Sequence, residues 1–329
     1  MIRPGAADPS RAEGLLRRWG QQAIALRCVA RSDSEIWRVR TARGSDLALR
    51  IFAADRQDSD AIDVELDWLH ELAASGLFVP APLATPEGQL RVSFDEPGPS
   101  LTRRHAALLA WLPGRTLFAG LRPVHLRRVG VLIAQFHDSA ARLCLQGRIP
   151  THRPVFGPDL AAWADGRRRL PAWIGKKLTA QLPKVARQLH ERIETWPRDG
   201  EHWSWIHGDL HPWNLLFHQG RAGAIDFSDG GWGFLAQDLA GVLQFLRFPL
   251  PGHHDHRHHF DELRAALFEG YAATRPLAES LLEQAAVLTV MRPLGTLQWM
   301  LDDWRSPDDR PWGRGFIADL PEVLEQANA

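Results

Sequence analysis

Two short apolar stretches near residue 220 constrain the fold of this 329-residue chain more than any other feature. They span residues 215–217 and 224–227, and the residues between them include Gln219 and Gly220. Short apolar runs separated by a turn that contains glycine are typical of a β-hairpin. The sequence therefore predicts two paired strands here, well inside the second half of the chain.

Three oxygen-bearing side chains accompany this predicted hairpin. Asp209 and Asn214 precede its first stretch, and Asp226 lies inside the second. A lone carboxylate within an apolar strand is costly to bury unless it is paired or bound to a metal. A polar turn that satisfies backbone donors would explain Asp209 and Asn214, but not Asp226. We expect the hairpin to bring the three groups to one end of a small sheet, where carboxylate and amide oxygens would suit Mg²⁺.

The order of these residues resembles that of a kinase active site. Asn214 follows Asp209 by five residues and Asp226 follows it by seventeen, as in the catalytic loop and metal-binding Asp of protein kinases. The sequences of the two motifs, residues 207–214 and 225–229, are similar to those of the aminoglycoside phosphotransferase and choline kinase superfamily, which includes bacterial stress-response and homoserine-type kinases. This resemblance implies ATP and Mg²⁺ as cofactors, Asp209 as the catalytic base, and Asn214 and Asp226 as metal ligands.

The resemblance also implies the fold class, which is α+β and protein-kinase-like with two lobes. The amino-terminal lobe, residues 1–112, would hold an antiparallel sheet and one helix, and the carboxy-terminal lobe, residues 113–329, would be mainly helical. Local patterns agree with this division. Alternation predicts strands over residues 23–30, 36–40 and 47–52, and helical periodicity predicts helices over residues 58–75, 123–143 and 176–196. A further helix is expected to open over residues 232–240.

Arg50 and Glu65 are the expected phosphate-binding pair of the first lobe. Arg50 falls on the third predicted strand, where kinases place a lysine, and Glu65 lies beside the apolar face of the first long helix. The resemblance implies that Glu65 fixes Arg50 against the nucleotide phosphates. A surface arginine and an exposed glutamate are the alternatives, because such charges are common on the polar faces of strands and helices.

Four further residues would complete the nucleotide site. The turn after the first strand contains Ser32 and Ser34 but no glycine, so its hydroxyls or backbone amides would have to bind phosphate. In the resemblance, the backbone near Ala110 and Leu112 contacts the adenine edge. The Pro113-Gly114 pair that follows is typical of a boundary between lobes.

The remaining site residues lie around the catalytic loop. Trp213 replaces a residue that is commonly small in the family, and its indole is expected to stack on the acceptor or narrow the cleft. Asp229 is expected either to face the acceptor or to cap a turn. The resemblance assigns supporting roles to His207, His211 and Asp238, which would fix the loop.

Composition limits the partners. Lysine plus arginine and aspartate plus glutamate both total 39, so no net charge favours nucleic acid or an anionic membrane. No apolar run reaches the ~20 residues that span a bilayer, and Cys28 and Cys144 form no metal or disulfide pattern. We expect a cytoplasmic protein. The His-rich residues 253–259 are expected to form a solvated loop with incidental metal affinity.

Three functions follow from these motifs. The first is a kinase that phosphorylates a hydroxyl of a small molecule, such as an amino alcohol, a sugar or an antibiotic. The second is a protein Ser/Thr kinase of the bacterial stress-response type. The third is a nucleotide-binding pseudokinase scaffold, which Arg50 and the glycine-free turn favour, whereas Asp209, Asn214 and Asp226 argue against it.

Overall fold

The computed structural model describes residues 8–31, 34–53, 59–96, 102–117, 119–149, 154 and 158–325. The chain divides into two units. The first contains Met1–Gly114 together with Gly223–Ser228, and the second contains Arg115–Ala222 together with Asp229–Ala329. Within the described residues, no helix is both long and apolar enough to cross a membrane.

An antiparallel sheet forms the centre of the first unit. Its strands run in the order β1-β2-β3-β6-β4, and β5 pairs with β6. They are β1 (Ala23–Arg31), β2 (Ser34–Thr41), β3 (Asp46–Phe52), β4 (Pro82–Leu83), β5 (Arg91–Glu96) and β6 (Thr102–Ala110). The first three strands are those that the alternating sequence predicts. Helix α1 (Pro9–Leu16) packs on this sheet through a cluster of buried apolar side chains.

Helix α2 (Ser59–Ala74) follows the third strand and matches the predicted helix over residues 58–75. Its spacing of apolar residues brings Ile62, Leu66 and Leu69 onto one face, and each is at most 2% exposed. Burial of such side chains stabilises the fold by roughly 1.5–3 kcal/mol each. The same face carries Glu65, which is 2% exposed and therefore needs a partner.

The second unit is mainly helical, as predicted. It contains α3 (Pro123–Leu145), α4 (Leu160–Ala164), α5 (Lys176–Glu194), α6 (Ala236–Arg247), α7 (Phe260–Ala272), α8 (Glu279–Asp303) and α9 (Gly313–Glu325). Four short strands also lie in this part of the chain, namely β7 (Trp203–Ile206), β8 (Leu215–His218), β9 (Arg221–Ala224) and β10 (Gly231–Phe234). The last two residues of β9 belong to the first unit. Strand β7 pairs with β10, and β8 pairs with β9.

The second strand of the predicted hairpin ends earlier than the sequence pattern indicates. Strand β9 stops at Ala224, and Asp226 has a positive φ of 63°. The left-handed conformation turns the chain out of the strand, and aspartate tolerates it better than most residues because its short side chain bonds locally. The side chain of Asp226 is 54% exposed. The prediction of a carboxylate buried inside a strand is therefore wrong.

The segment after Asp229 also differs from its prediction. Residues 232–240 were expected to open a helix, but Gly231–Phe234 form β10 and the helix begins at Ala236. Trp232 lies opposite Trp205 in the pairing with β7. This pairing is non-local, so the local sequence pattern does not reveal it.

Candidate active site

The loop between β7 and β8 is held by a buried carboxylate from α6. Asp238 is 0% exposed and accepts hydrogen bonds from the backbone amides of Gly208 at 2.8 Å and His207 at 3.0 Å. Burial alone would raise the pKa of Asp238, but the hydrogen bond and charge of His137 and the charge of His207 hold that pKa below its usual range. Asp238 thus has the loop contacts that were predicted for it.

A buried polar network extends from this carboxylate. His137 on α3 lies 3.3 Å from Asp238 through Nε2 and 2.9 Å from the hydroxyl of Tyr271 on α7 through Nδ1. His137 and Tyr271 are both fully buried. Burial raises the pKa of Tyr271, so its hydroxyl stays protonated and available to bond. The network ties three helices to the backbone of the loop.

Helix α6 approaches the loop closely at a glycine. A Cβ atom at Gly241 would lie 2.6 Å from the carbonyl oxygen of Leu210. Real Cβ atoms do not come so close to a backbone oxygen, so a larger residue would push helix and loop apart. Gly241 therefore sets how near α6 stands to the loop that carries Asp209.

Asp209 lies at the centre of a set of donors within the second unit. Its Oδ1 accepts a hydrogen bond from Arg292 at 3.1 Å, and its Oδ2 lies 3.2 Å from both Nε2 of His211 and Nδ2 of Asn214. Burial raises the pKa of Asp209, but the charge and hydrogen bond of His211 and the charge of Arg292 outweigh burial and hold the pKa well below its usual range. The side chain remains 28% exposed. It is thus an ionised carboxylate that a ligand can reach.

Asn214 is oriented by the same loop. Its Nδ2 donates to the carbonyl oxygen of Asp209 at 2.9 Å as well as to the carboxylate. Because the amide nitrogen faces Asp209, the amide oxygen faces away from it. An oxygen held in this manner is chemically suited to a hard divalent cation. The residue is 7% exposed, so its orientation is well restrained.

The two loop histidines have different surroundings. His207 is fully buried, stacks on Phe136 with ring centroids 6.3 Å apart, and accepts the backbone amide of Asp209 at 3.3 Å. His211 contacts Trp213, with ring centroids 5.4 Å apart, as well as the Asp209 carboxylate. Both histidines therefore contact the loop, and their roles in fixing it stay a prediction.

Trp213 belongs to an aromatic cluster with Phe245 and His253. Its ring centroid lies 5.0 Å from Phe245 and 5.3 Å from His253, in edge-to-face arrangements. Trp213 is partly exposed, so one part of the indole is available to a ligand. Its predicted contact with an acceptor stays a prediction. Asp229 is exposed.

The His-rich tract is a mostly exposed loop, as expected, and it ends in one helical turn. Residues Arg257–His259 form a short 3₁₀ helix, and His256 is 7% exposed. Within the residues that the structure describes, no three His, Cys, Asp or Glu side chains are grouped so that they could hold a metal ion.

In the first unit, the predicted ion pair between Arg50 and Glu65 is present. Arg50 NH1 donates to Glu65 Oε1 at 2.6 Å, and Nε donates to the hydroxyl of Ser34 at 3.1 Å. The guanidinium also lies over the ring of Phe52, 4.6 Å from its centroid. Arg50 is 7% exposed, which excludes the alternative of a surface arginine.

Asp226 lies near the same guanidinium. Its Oδ1 accepts a hydrogen bond from the hydroxyl of Ser228 at 2.8 Å and is 3.8 Å from Arg50 NH2. The following residue, Phe227, packs against Trp68 with ring centroids 5.2 Å apart. A packed aromatic next to an exposed carboxylate holds that carboxylate at the surface. Since Asp209 and Asn214 belong to the other unit, the meeting of all three side chains stays a prediction.

The remaining predicted nucleotide contacts are Ser32, Ala110 and Leu112. Ser32 lies outside the described residues. The amide of Ala110 donates to the carbonyl of Ala81 at 2.8 Å, so that N–H is already used within the sheet. Leu112 follows the end of β6 and is partly exposed. Leu112 therefore remains the candidate backbone contact for a base, together with the carbonyl of Ala110.

The sequence pattern assigns no fixed role to Arg292 or His137. Their contacts with Asp209 and Asp238 cross 83 and 101 residues of sequence. The only local signal was a charged or polar side chain in an apolar helix segment, which does not identify a partner.

The sequence of this chain matches a known enzyme family. Residues 27–288 match the model of the phosphotransferase enzyme family. A homoserine kinase of Chelativorans sp. (strain BNC1) is 30% identical over 264 residues, which cover 77% of this chain and 73% of that enzyme.

Solved structures show the same fold at lower identity. An amicoumacin kinase in complex with AMP-PNP, Ca²⁺ and Ami has a TM-score of 0.78 at 16% identity and covers 97% of this chain and 94% of that one. A microcompartment-associated aminopropanol kinase has a TM-score of 0.75 at 22% identity and covers 97% of both chains. The resemblance seen in the two motifs is confirmed: the chain belongs to the phosphotransferase enzyme family and is a kinase that acts on a hydroxyl group of a small molecule.

Proposed function

We propose that this kinase transfers the γ-phosphoryl group of ATP to an alcohol with Asp209 as the group that receives the acceptor. The observation that carries the proposal is the state of Asp209, whose carboxylate is ionised, partly exposed and held by donors on both oxygens. A carboxylate in that state can accept a hydrogen bond from an acceptor hydroxyl and fix its direction.

The reaction is a direct displacement. The acceptor oxygen bonds to the γ-phosphorus while the bond from that phosphorus to the β–γ bridging oxygen breaks, and the bonding pair leaves with ADP. The hydroxyl proton passes to Asp209 and then to water. Because the pKa of Asp209 is held low, Asp209 is a weak base, and the proton moves late, when the acceptor oxygen has become acidic.

Asn214 and Asp226 fit the role of oxygen ligands for Mg²⁺. The amide oxygen of Asn214 is turned away from Asp209, and the carboxylate of Asp226 is 54% exposed with a local hydrogen bond to Ser228. When bound, the cation would neutralise charge on the β- and γ-phosphates. The eleven residues between Asn214 and Asp226 include the β8–β9 hairpin, and the left-handed conformation at Asp226 is a form of local strain that clusters at functional positions.

Arg50 would provide positive charge for the phosphates. Its pairing with Glu65 and Ser34 leaves a planar guanidinium in one orientation, close to Asp226. An arginine can bind phosphate through two parallel N–H donors, which compensates for the absence of the usual lysine. Glu65 then acts through Arg50 and does not itself meet the substrate.

The acceptor class is an amino alcohol, a sugar or an antibiotic hydroxyl. Among the similar proteins are kinases named for homoserine, aminopropanol and amicoumacin. Trp213 is the side chain in the loop that we assign to acceptor packing, because its partly exposed indole packs against His211, which itself contacts Asp209. Asp229 is the second, and its exposed carboxylate would pair with an amine.

A screen for acceptors tests this proposal. The release of ADP from Mg²⁺·ATP is measured with L-homoserine, aminopropanol, sugars and aminated antibiotics, with water alone as the baseline and a generic protein as a further arm. At least one small alcohol should raise ADP release above the baseline, and Asp226→Ala should abolish the effect by weakening metal-dependent nucleotide binding. Transfer to the generic protein alone would contradict the small-molecule assignment.

A further inference from the structure

Arg292 reaches from α8 into the catalytic loop with two separate donors. NH1 donates to the carbonyl oxygen of Gly208 at 3.0 Å, and NH2 donates to Oδ1 of Asp209 at 3.1 Å. The side chain is 14% exposed, so it is largely removed from water. A buried guanidinium that bonds both the backbone and the carboxylate of one loop restrains that loop in two places.

The charge of Arg292 is directed at this loop and not at its own helix. Among the described residues, Asp209 is the one carboxylate within ion-pair distance of Arg292. Its Nε is buried and has no hydrogen-bond partner within the described part of the chain. The burial of an arginine with an unsatisfied donor is a cost to stability. Such a cost is expected where the residue has a functional reason to be there.

The residue before Asp209 is held from two helices. The backbone amide of Gly208 donates a hydrogen bond to Asp238 of α6 at 2.8 Å, and its carbonyl oxygen accepts a hydrogen bond from Arg292 of α8. It has a φ of 82°, a conformation that suits glycine. Fixing the amide and the carbonyl of Gly208 fixes the peptide unit that leads into Asp209. The remaining freedom of Asp209 is the rotation of its own side chain.

Contacts to both carboxylate oxygens of Asp209 limit the rotation of its side chain. Arg292 holds Oδ1, while Asn214 and His211 approach Oδ2. We propose that Arg292 is a positioning residue that holds the Asp209 carboxylate in the orientation that receives the acceptor hydroxyl. It requires both terminal nitrogens of the guanidinium, NH1 and NH2, to do so. This inference rests on the proposed role of Asp209. Lysine has one point of charge and cannot reach the carbonyl and the carboxylate in the same fixed geometry.

The consequence for turnover is large even though Arg292 is not assigned to contact either substrate. A displacement of about 1 Å in a reacting group can cost about 10²-fold in rate. We therefore expect Arg292→Ala to lower kcat by about 10²-fold, with the KM for ATP changed little, because the nucleotide contacts assigned here do not include Arg292. Arg292→Lys should recover only a minor part of kcat.

Arg275 is a matched control. It also donates to one carboxylate, Asp138 at 2.9 Å, and to one backbone carbonyl, Gly200 at 3.3 Å, and it is 17% exposed. Replacement of Arg275 by alanine removes a similar set of contacts, none of which involves the catalytic loop. Arg275→Ala should therefore lose thermal stability to a degree similar to Arg292→Ala while it keeps the kcat of the wild type.

Chemical rescue provides the sharpest readout. ADP release is measured with L-homoserine, with aminopropanol and with water as acceptors, in the presence and absence of millimolar guanidinium chloride. Guanidinium should raise the kcat of Arg292→Ala severalfold and should leave the wild type, Arg292→Lys and Arg275→Ala unchanged. A purely structural role would produce no rescue. If Arg292→Ala does not fold, Arg292→Gln, which keeps most of the side chain, replaces it in the kcat comparison.

Two failures can be distinguished. Wild-type kcat in Arg292→Ala or Arg292→Gln, together with a loss of turnover in Asp209→Asn, would overturn the inference and leave the proposed function intact. A wild-type protein without phosphotransfer to any acceptor, or an Asp209→Asn variant with full turnover, would overturn the proposed function and this inference with it.

Discussion

The carboxylate of Asp238 accepts a hydrogen bond from the backbone amide of Gly208 at 2.8 Å, and Asp238 lies on α6 with 0% exposure. This contact links a helix of the second unit to the loop residue that precedes Asp209. An anion buried with three donors around it, the amides of Gly208 and His207 and the ring of His137, is satisfied only while the loop keeps its shape. The conformation of the loop and the stability of the helical unit are therefore coupled.

The coupling predicts a pH-dependent effect of Asp238→Asn. The pKa of Asp238 is lowered in the folded protein, so its ionised form contributes stability above the ordinary aspartate pKa of about 3.9, and that contribution is lost as pH falls through the folded pKa. At neutral pH the variant should lose about 2 kcal/mol of unfolding free energy. Urea titrations from neutral pH downward should show the difference from the wild type narrowing. A difference that is constant with pH would contradict the assignment.

Tyr271 offers a spectroscopic check of the same network. It is the one tyrosine in the sequence, and burial raises the pKa of its hydroxyl. Phenolate absorbance should therefore not appear near the ordinary value of about 10 while the protein is folded. Since the folded pKa lies above the unfolded one, stability should fall as pH rises past the unfolded value. Phenolate that forms near pH 10 without loss of structure would contradict the burial of Tyr271.

The contact between Gly241 and the loop predicts opposite effects for two helical glycines. Gly241→Ala should cost about 1–3 kcal/mol, because its Cβ would meet the carbonyl of Leu210 at 2.6 Å. Gly295→Ala is the control, since its Cβ would have a nearest contact of 3.8 Å, to Pro158. That change should stabilise α8 by roughly 0.5–1 kcal/mol. Thermal unfolding of the two variants tests the pair, and equal shifts in Tm would argue against the close approach.

The buried ion pair between Arg50 and Glu65 predicts an effect of Arg50→Lys on the affinity for ATP. Arg50→Lys keeps the charge but loses the fork to Glu65 and Ser34, so the KM for ATP should rise about tenfold, or roughly 1.4 kcal/mol. Arg104→Lys is the control, because Arg104 is also largely buried and bonds Phe52 and Glu96. Initial rates across ATP concentrations give both KM values. Equal values for the two variants would remove Arg50 from phosphate binding.

Several features could be predicted from the sequence because they depend on neighbours along the chain or on a recognisable motif. The strands around Arg50 follow from alternation, and the inward direction of Glu65 follows from its place beside the apolar face of a helix. Their ion pair could then be predicted from the kinase pattern, and the structure contains it. The loop contacts of Asp238 were predicted in the same manner.

The errors have a common physical origin. The left-handed φ of Asp226 is set by the turn after β9, and apolar periodicity contains no information on the sign of φ. Strand β10 exists because it pairs with β7, about thirty residues earlier, and a pairing over that distance leaves no local signal. Arg292 approaches Asp209 across 83 residues for the same reason.

The transfer of labelled phosphate from [γ-³²P]ATP tests the central claim most directly. The wild type and Asp209→Asn are compared with Mg²⁺ and the best acceptor from the screen, and nucleotide binding is measured in parallel. Asp209→Asn should lower kcat by about 10²–10⁴-fold and leave ATP affinity nearly unchanged, because the variant keeps the shape of the loop but loses the charge that receives the hydroxyl. Phosphate transfer by Asp209→Asn at the wild-type rate would contradict the account.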